Sequence, residues 1–195
     1  MEPLWSPTPE AVERSQLTGF ARWVGQRLAL DFPDYAALHR WSVEDPGAFW
    51  ALYATYANTI TSAPAETPVL GLDRFPGAQW FPGMRLNFAE NLLRERSDKI
   101  AFISLLENGD RRELTYNELY NDTAAIATQL RRLGIQAGDR VASWLPNMPE
   151  TAIAMLAASS LGAVWSSCSP DFGTEGALDR FGQIEPRVLF ACDGY

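Results

Sequence analysis

The pattern of apolar and polar positions changes twice along the chain. Residues 1–62 carry apolar side chains at helical spacing, most clearly over residues 16–30. Residues 63–98 are rich in Pro and Gly and hold one short helical segment, which indicates a connector. From residue 99 onward, short apolar runs alternate with amphipathic segments. The pattern predicts a helical N-terminal extension (1–62), a connector with a short helix (63–98) and an incomplete α/β subdomain (99–195).

The first region shows specific helix signals and an excess of aromatic residues. Asp45 followed by Pro46 is typical of an N-cap and a first-turn proline. Five tryptophans occur by residue 80, and two interpretations stay open for them: an aromatic binding surface, or large side chains that pack this region onto a larger body. Packing is the favoured interpretation. The predicted apolar stripe of the helix over residues 16–30 consists of Leu17, Phe20, Ala21, Val24 and Leu28.

Strand and helix signals alternate regularly in the last region. Asn108–Gly109 between two apolar runs predicts a β-hairpin, Thr115 with Glu118 predicts a capping box, and Gly134 follows the last residue of the helix that this box begins. Such alternation is typical of a parallel sheet with right-handed crossovers. The predicted inner stripe of that helix is Leu119, Thr123, Ile126, Leu130 and Leu133. The elements predicted after it are strands at 140–145, 163–167 and 188–192, and helices at 149–161 and 174–184.

Composition narrows the classes of partner. The 195 residues are 47% hydrophobic with a formal net charge of −8, which argues against nucleic acid or an anionic membrane surface as a partner. The N-terminus has no basic and apolar signal segment, so a cytoplasmic location is predicted. The uncharged stretch 151–170 is broken by Gly162, and we interpret it as a buried helix followed by a buried strand.

Cysteine and histidine are too few to predict a metal centre. The chain has two cysteines, Cys168 and Cys192, and one histidine, His39. Two separated cysteines predict no disulfide framework, and with a single histidine they do not form a zinc site. Cys168 follows an apolar strand and is expected to be a buried structural thiol. His39 lies in a tryptophan-rich helical segment, where a surface or packing role is expected.

The common catalytic motifs are missing from the sequence. There is no GxxxxGK[ST], GxGxxG or GxSxG segment, and Lys99 is the single lysine of the chain. The carboxylates of Asp171 and Asp179 are interpreted as loop and helix-cap residues. The informative segment that remains is WSSCSPDFG, residues 165–173, a polar loop after a predicted strand. In an open α/β sheet, the loops at the carboxyl ends of the strands are where ligands bind.

Longer strings around this loop carry a family resemblance. GDRVASWLPNMPETAIAMLAASSLGAVWSSCSPDFG, from Gly138, and DRFGQIEPRVLFACDGY, from Asp179, resemble the N-terminal part of adenylate-forming acyl-CoA synthetases. WSSCSPDFG and WFPGMRLNFAENLL (80–93) are similar to the acetoacetyl-CoA synthetase branch. YAALHRWSVEDPGAFWALY (35–53) resembles the helical extension of the acetyl- and acetoacetyl-CoA synthetases. The resemblance covers residues 5–195 and implies a partial N-terminal domain of the adenylate-forming fold.

The resemblance also implies an activity for the complete enzyme. A carboxylic acid, with acetoacetate suspected, reacts with ATP and magnesium to give an acyl-adenylate, from which coenzyme A displaces AMP. The family's lysine-ended Gly-rich loop and its other phosphate-binding elements have no match here. The chain is therefore expected to be an inactive N-terminal fragment that binds no cofactor tightly and self-associates. The alternative is a non-catalytic module that binds coenzyme A or a nucleotide.

The same resemblance supplies the candidate binding residues. By alignment with the acetyl-CoA synthetase branch, Pro170, Asp171, Phe172 and Gly173 border the coenzyme A tunnel. That loop is Gly-rich in the acetyl branch, whereas Pro170 and Asp171 replace glycines here. Arg180 on the following helix is expected either to approach a phosphate or to form an ion pair on the helix surface. No catalytic or metal-binding residue is assigned.

Overall fold

The computed structural model describes residues 4–106 and 108–194 and forms two compact units, Met1–Arg85 and Leu86–Tyr195. Each unit has its own hydrophobic interior. Among the described residues, no helix is both long and apolar enough to cross a membrane.

From residue 4 onward, the described part of the first unit has four helices followed by one small pair of strands. Its helices begin at polar caps, as predicted for Asp45, whose Oδ1 accepts a hydrogen bond from Ala48 N at 3.0 Å. The second helix ends two residues before the predicted end, because Ala29 adopts a left-handed conformation with φ 54°. The elements are α1 (Pro9–Glu13), α2 (Gln16–Leu28), α3 (Tyr35–Glu44), α4 (Pro46–Tyr56), and antiparallel β1 (Val69–Leu70) and β2 (Gln79–Trp80).

Aromatic rings fill the interior of this unit. Phe20, 2% exposed, is contacted by the rings of Phe49 at 5.7 Å and Tyr56 at 5.2 Å between centroids. Trp23 and Trp41 pack against the same cluster. These tryptophans therefore contribute to an interior within residues 1–85.

The second unit is an α/β assembly with a parallel sheet, in which β5 (Arg140–Trp144) lies between β6 (Val164–Cys168) and β7 (Val188–Ala191). The predicted hairpin forms a separate antiparallel pair of β3 (Ile100–Leu105) and β4 (Arg111–Thr115). The parallel sheet and its flanking helices confirm the predicted fold class. The elements are α5 (Phe88–Leu92), β3 (Ile100–Leu105), β4 (Arg111–Thr115), α6 (Tyr116–Arg132), β5 (Arg140–Trp144), α7 (Pro149–Ser160), β6 (Val164–Cys168), a 3-10 turn (Pro170–Phe172), α8 (Gly173–Ile184) and β7 (Val188–Ala191).

The central strand β5 is covered on both faces. Val141 packs with Ala157 of α7 and with α6, whereas the next residue, Ala142, packs with Phe181 of α8. Successive strand residues point to opposite faces, so α7 and α8 lie on opposite sides of the sheet. The interior between α6 and α7 combines larger side chains such as Leu130 with small ones, of which Ala157 and Ala158 are 0% exposed.

Most predicted helix signals of this unit are confirmed, with one error in the stripe of α6. The Thr115–Glu118 capping box is present, and Gly134 has φ 79° directly after the C-cap. Leu133, predicted to face inward, is 62% exposed, while Ala127 is 3% exposed. The stripe fails at its last member because Leu133 is already the C-cap, outside the regular helix.

Candidate functional site

The loop after β6 is held by its own side chains. Ser169 caps the 3-10 turn, with its Oγ accepting from Asp171 N at 3.3 Å. The same hydroxyl donates to Asp171 Oδ2 at 2.8 Å. The polar residues that the sequence places here therefore fix the path of the backbone as it leaves the sheet.

Gly173 is the point where the turn becomes helix α8. Its backbone lies at φ 66° and ψ 175°, a region that is essentially restricted to glycine. A Cβ at this position would meet no atom within 4 Å, so the requirement for glycine is conformational rather than steric. The predicted helix start at Thr174 moves one residue earlier, to Gly173.

Phe172 and Arg180 form a pair on the surface of α8. The guanidinium carbon of Arg180 lies 4.1 Å from the centroid of the Phe172 ring, and Nη1 donates to Gly176 O at 3.4 Å. Gly176 leaves room for this packing, since a Cβ there would lie 3.1 Å from the Phe172 Cβ. The structure thus shows a cation–π contact for Arg180, and the phosphate contact expected from the sequence stays a prediction.

The five predicted residues lie together at the carboxyl end of β6 and along α8. Pro170 is half-buried and the other four are exposed, with Phe172 at 55%. They form an open surface that presents an aromatic ring, a cation and a carboxylate. The five positions are Pro170, Asp171, Phe172, Gly173 and Arg180.

The cysteine and histidine predictions concern side chains outside this surface. Cys168 is 5% exposed and packs with Ala177 and Phe181, as expected of a structural thiol. His39 is exposed on α3, with its ring 5.9 Å from that of Tyr35. No group of three or more His, Cys, Asp or Glu residues suited to a metal ion is found within residues 4–106 and 108–194.

A second concave region at the same edge was not predicted. Trp144 pairs with Cys168, so the turn after β5 reaches the same edge of the sheet as the loop after β6. A cleft of about 530 Å³ opens there, between Trp165 and Ser167 of β6, the start of α7 and strand β3. The signal was present in the sequence, because Asn147 and Pro149 follow a strand at the position where ligands bind in open sheets.

The opposite, amino edge of the sheet carries a structural charge network. Asp139 Oδ2 accepts from Gln136 N at 2.8 Å and from Arg187 Nη1 at 2.8 Å. The backbone hydrogen bond is the main reason that the pKa of Asp139 is lowered, and Arg187 adds to it. Arg187 also donates to Gly134 O at 3.1 Å, which ties the end of α6 to the start of β7. This network stabilises the fold at a distance from the candidate surface.

Two family profiles match the chain. The profile described as "AMP-binding enzyme" matches residues 88–194, and "Acetyl-coenzyme A synthetase N-terminus" matches residues 35–92. Among curated relatives, the acetoacetyl-coenzyme A synthetase of Rhizobium meliloti (strain 1021) is 49% identical over 193 residues, which are 99% of this chain and 30% of the relative. The acetoacetyl-CoA synthetase of Xenopus tropicalis is 40% identical over 97% of this chain and 28% of its own length.

The solved structures that match this chain include enzymes of the same kind. The acetoacetyl-CoA synthetase from Streptomyces lividans superposes with a TM-score of 0.92 at 40% identity, over 100% of this chain and 31% of that one. An acyl-CoA synthetase from Brucella canis matches 54% of this chain and 20% of its own, with a TM-score of 0.51 at 26% identity. The chain thus spans about 30% of the length of the curated relatives. The profile that matches more than half of its residues shows that the chain belongs to the AMP-binding enzyme family, and it corresponds to the N-terminal region of acetoacetyl-CoA synthetases.

Proposed function

We propose that the chain supplies the N-terminal part of an AMP-forming acid–CoA ligase that activates acetoacetate with ATP and transfers the acyl group to coenzyme A. The observation that supports this is the 49% identity to an acetoacetyl-coenzyme A synthetase across 99% of the chain. The aligned region covers both structural units, as expected if both belong to one ligase architecture.

Within this proposal, the surface around the loop after β6 borders the coenzyme A site. Asp171 is held by Ser169, and Gly173 fixes the backbone, so the loop is ordered before any ligand arrives. Phe172 and Arg180 offer an aromatic face beside a positive charge, which suits the ring and phosphate groups of a nucleotide-containing thiol. Preorganised contacts of this kind lower the conformational cost of binding.

For ATP and magnesium, we identify no comparable set of residues within 4–106 and 108–194. The described residues contain no carboxylate cluster for a metal, and Lys99, the single lysine, lies outside any Gly-rich loop. Activation of a carboxylate by ATP requires charge neutralisation on the phosphates. We therefore expect the 195-residue chain to catalyse no acyl-adenylate formation by itself.

A chimera tests the proposed function. This chain would replace the aligned region of the Streptomyces lividans acetoacetyl-CoA synthetase, with which it superposes at a TM-score of 0.92. We expect the chimera to retain acetoacetate-dependent formation of the CoA thioester. A chimera that folds, shows ATP–pyrophosphate exchange with acetate and none with acetoacetate would contradict the proposed substrate.

The same chimera tests the residues. Phe172→Ala and Arg180→Ala should each raise the KM for coenzyme A about tenfold, corresponding to about 1.4 kcal/mol, with the KM for ATP unchanged. Leu178→Ala is the matched control, because Leu178 is 68% exposed on the same helix. An unchanged KM for coenzyme A in both variants would contradict the proposal that the loop borders the coenzyme A site.

The isolated chain distinguishes a ligase part from a non-catalytic module. Acetoacetate-dependent ATP–pyrophosphate exchange should be absent, and calorimetry should show no tight binding of coenzyme A. Measurable exchange would contradict the expected inactivity. Tight binding of coenzyme A without exchange would instead favour the binding module.

A further inference from the structure

Helix α8, which carries Arg180, packs on the sheet through apolar side chains. Its buried residues are Ala177 and Phe181, and they form a cluster with Ala142 and Cys168. Contacts of this kind are not directional, so they hold the helix against the sheet without fixing its tilt or rotation. The orientation of α8 therefore depends on the polar contacts at its two ends.

The carboxyl end of α8 is bound by the side chain of Arg140. Arg140 is the first residue of β5, and it is half-buried. Its Nε donates to Ile184 O at 2.8 Å, and its Nη2 donates to Glu185 O at 3.1 Å. The last carbonyls of a helix have no partner within the helix, and a cation beside them also interacts favourably with the helix dipole. Arg140 thus caps α8 from the sheet.

The backbone that Arg140 binds has an unfavourable conformation. Glu185 is the C-cap of α8 and has φ 47° and ψ 66°, a left-handed conformation that residues other than glycine adopt at a cost. Its N–H donates to Phe181 O at 2.9 Å, and its carbonyl is one of the two that accept from Arg140. The guanidinium therefore stabilises a helix end that the local sequence does not favour.

A short path of contacts leads from Arg140 to the candidate surface. Ile184 lies four residues after Arg180, and in an α-helix each N–H donates to the carbonyl four positions earlier. The guanidinium carbon of Arg180 in turn lies 4.1 Å from the centroid of the Phe172 ring. A shift of the last turn of α8 would therefore move the Arg180 side chain relative to Phe172.

We propose that Arg140 is a positioning residue for the surface around the loop after β6, because its bonds to the last carbonyls of α8 fix the turn that carries Arg180. This rests on the proposed function, in which that surface borders the coenzyme A site. The same edge of the sheet provides a matched control. Arg187, the residue before β7, donates to Gly134 O at 3.1 Å and so binds the end of a different helix, α6.

Hydrogen exchange of the 195-residue chain tests the structural step. In Arg140→Gln, exchange over residues 180–186 should become about tenfold faster, as expected when hydrogen bonds from a charged group are lost. Exchange over residues 130–136 should not change. Arg187→Gln should give the opposite pattern, and α7 should exchange at the parent rate in both variants. Equal acceleration of all three segments, or unchanged exchange over 180–186 in Arg140→Gln, would overturn the proposal.

The kinetics of the chimera test the functional step. Arg140→Gln should raise the KM for coenzyme A about threefold, with the KM for ATP unchanged. In the Arg180→Ala chimera, Arg140→Gln should cause no further rise, because residues that act through one another have non-additive effects. Arg187→Gln should leave the KM for coenzyme A unchanged. A rise of the same size in the presence and absence of the Arg180 side chain would overturn the proposal.

The two proposals fail in different ways. If Arg180→Ala alone leaves the KM for coenzyme A unchanged, the assignment of this surface to the coenzyme A site is contradicted. Exchange over residues 180–186 in Arg140→Gln does not depend on that assignment, and it decides whether Arg140 fixes the end of α8.

Discussion

The two units of the chain differ in the side chains that fill their interiors, which are mainly aromatic rings in the first unit and alanines among aliphatic residues in the second. In Met1–Arg85, rings meet edge to face around Phe20, and three residues, Phe20, Val24 and Leu38, form the buried centre. In Leu86–Tyr195, alanines such as Ala157 and Ala158 let helices and strands approach closely. Large rings fill wider spaces between elements, whereas small side chains permit close contact between neighbouring elements.

This difference predicts that the two interiors respond differently to the loss and to the gain of side-chain volume. An interior that depends on one large ring loses most when that ring is removed, because a cavity remains. An interior that depends on close approach loses most when volume is added. Substitutions that remove volume and substitutions that add volume therefore distinguish the two kinds of interior.

The largest effect is expected from Phe20→Ala. Phe20 is 2% exposed and contacts several rings, so its removal should destabilise the first unit by about 3–5 kcal/mol. Segment-resolved hydrogen exchange should show increased exchange across α2 to α4. Leu17→Ala, at a position 47% exposed on the same helix, is the control and should change little. Equal effects of the two changes would refute a ring-centred interior.

Overpacking tests the second unit. Ala157→Leu adds volume at a 0% exposed position between α7 and α6, which should cost about 1–3 kcal/mol in urea unfolding. Ala125→Leu, on the exposed side of α6, should stay within about 0.5 kcal/mol of the parent chain. An unchanged free energy of unfolding in Ala157→Leu would mean that this interior has spare volume.

A backbone substitution extends the comparison to the candidate surface. Gly173→Ala forces an L residue into φ 66° and ψ 175° and should cost about 1–3 kcal/mol, although the added methyl group meets no neighbour. Gly182→Ala, in helix α8 with equally open space, should instead stabilise by up to about 1 kcal/mol. Thermal unfolding of both variants measures the contrast. A change in stability of the same sign in both variants would contradict the conformational role of Gly173.

The smallest effect concerns acid sensitivity. The pKa of Asp139 is lowered by the Gln136 backbone hydrogen bond and by Arg187, so its contribution to stability is present above the ordinary pKa of an aspartate. That contribution is lost as pH falls through the lowered pKa of the folded chain.

Asp139→Asn removes this titration. The variant should lose less stability than the parent chain when urea unfolding is compared at about pH 7 and at about pH 3, on either side of the ordinary aspartate pKa. Asp179→Asn, on the exposed surface of α8, serves as the control. A parent-like pH dependence in Asp139→Asn would locate the acid sensitivity elsewhere.

Local sequence signals predicted elements well where one residue controls the geometry. Asp45, the Thr115–Glu118 box and Gly134 all act as predicted, because caps and left-handed turns depend on neighbours within a few residues. Periodicity was less exact. Leu133 continues the stripe of α6 in sequence, yet the helix has ended there, and burial depends on what packs against it.

For the candidate surface, too, some features could be predicted from the sequence and others could not. The position of the loop after β6 followed from strand and helix signals, and its five residues lie along one surface. The stacking of Arg180 on Phe172 did not follow, because it needs the turn of α8 and the space left by Gly176. The cleft beside Trp165 was missed because its far wall, β3, is distant in sequence.

The order of the sheet also constrains how it assembles. Strand β5 pairs Arg140 with Val164 of β6 and Val141 with Val188 of β7, a partner about twice as far along the chain. Contacts between distant residues form slowly because loop closure costs entropy first. During synthesis, the β3–β4 hairpin is complete before the central strand has left the ribosome. The central strand then pairs with β6 first and with β7 afterwards.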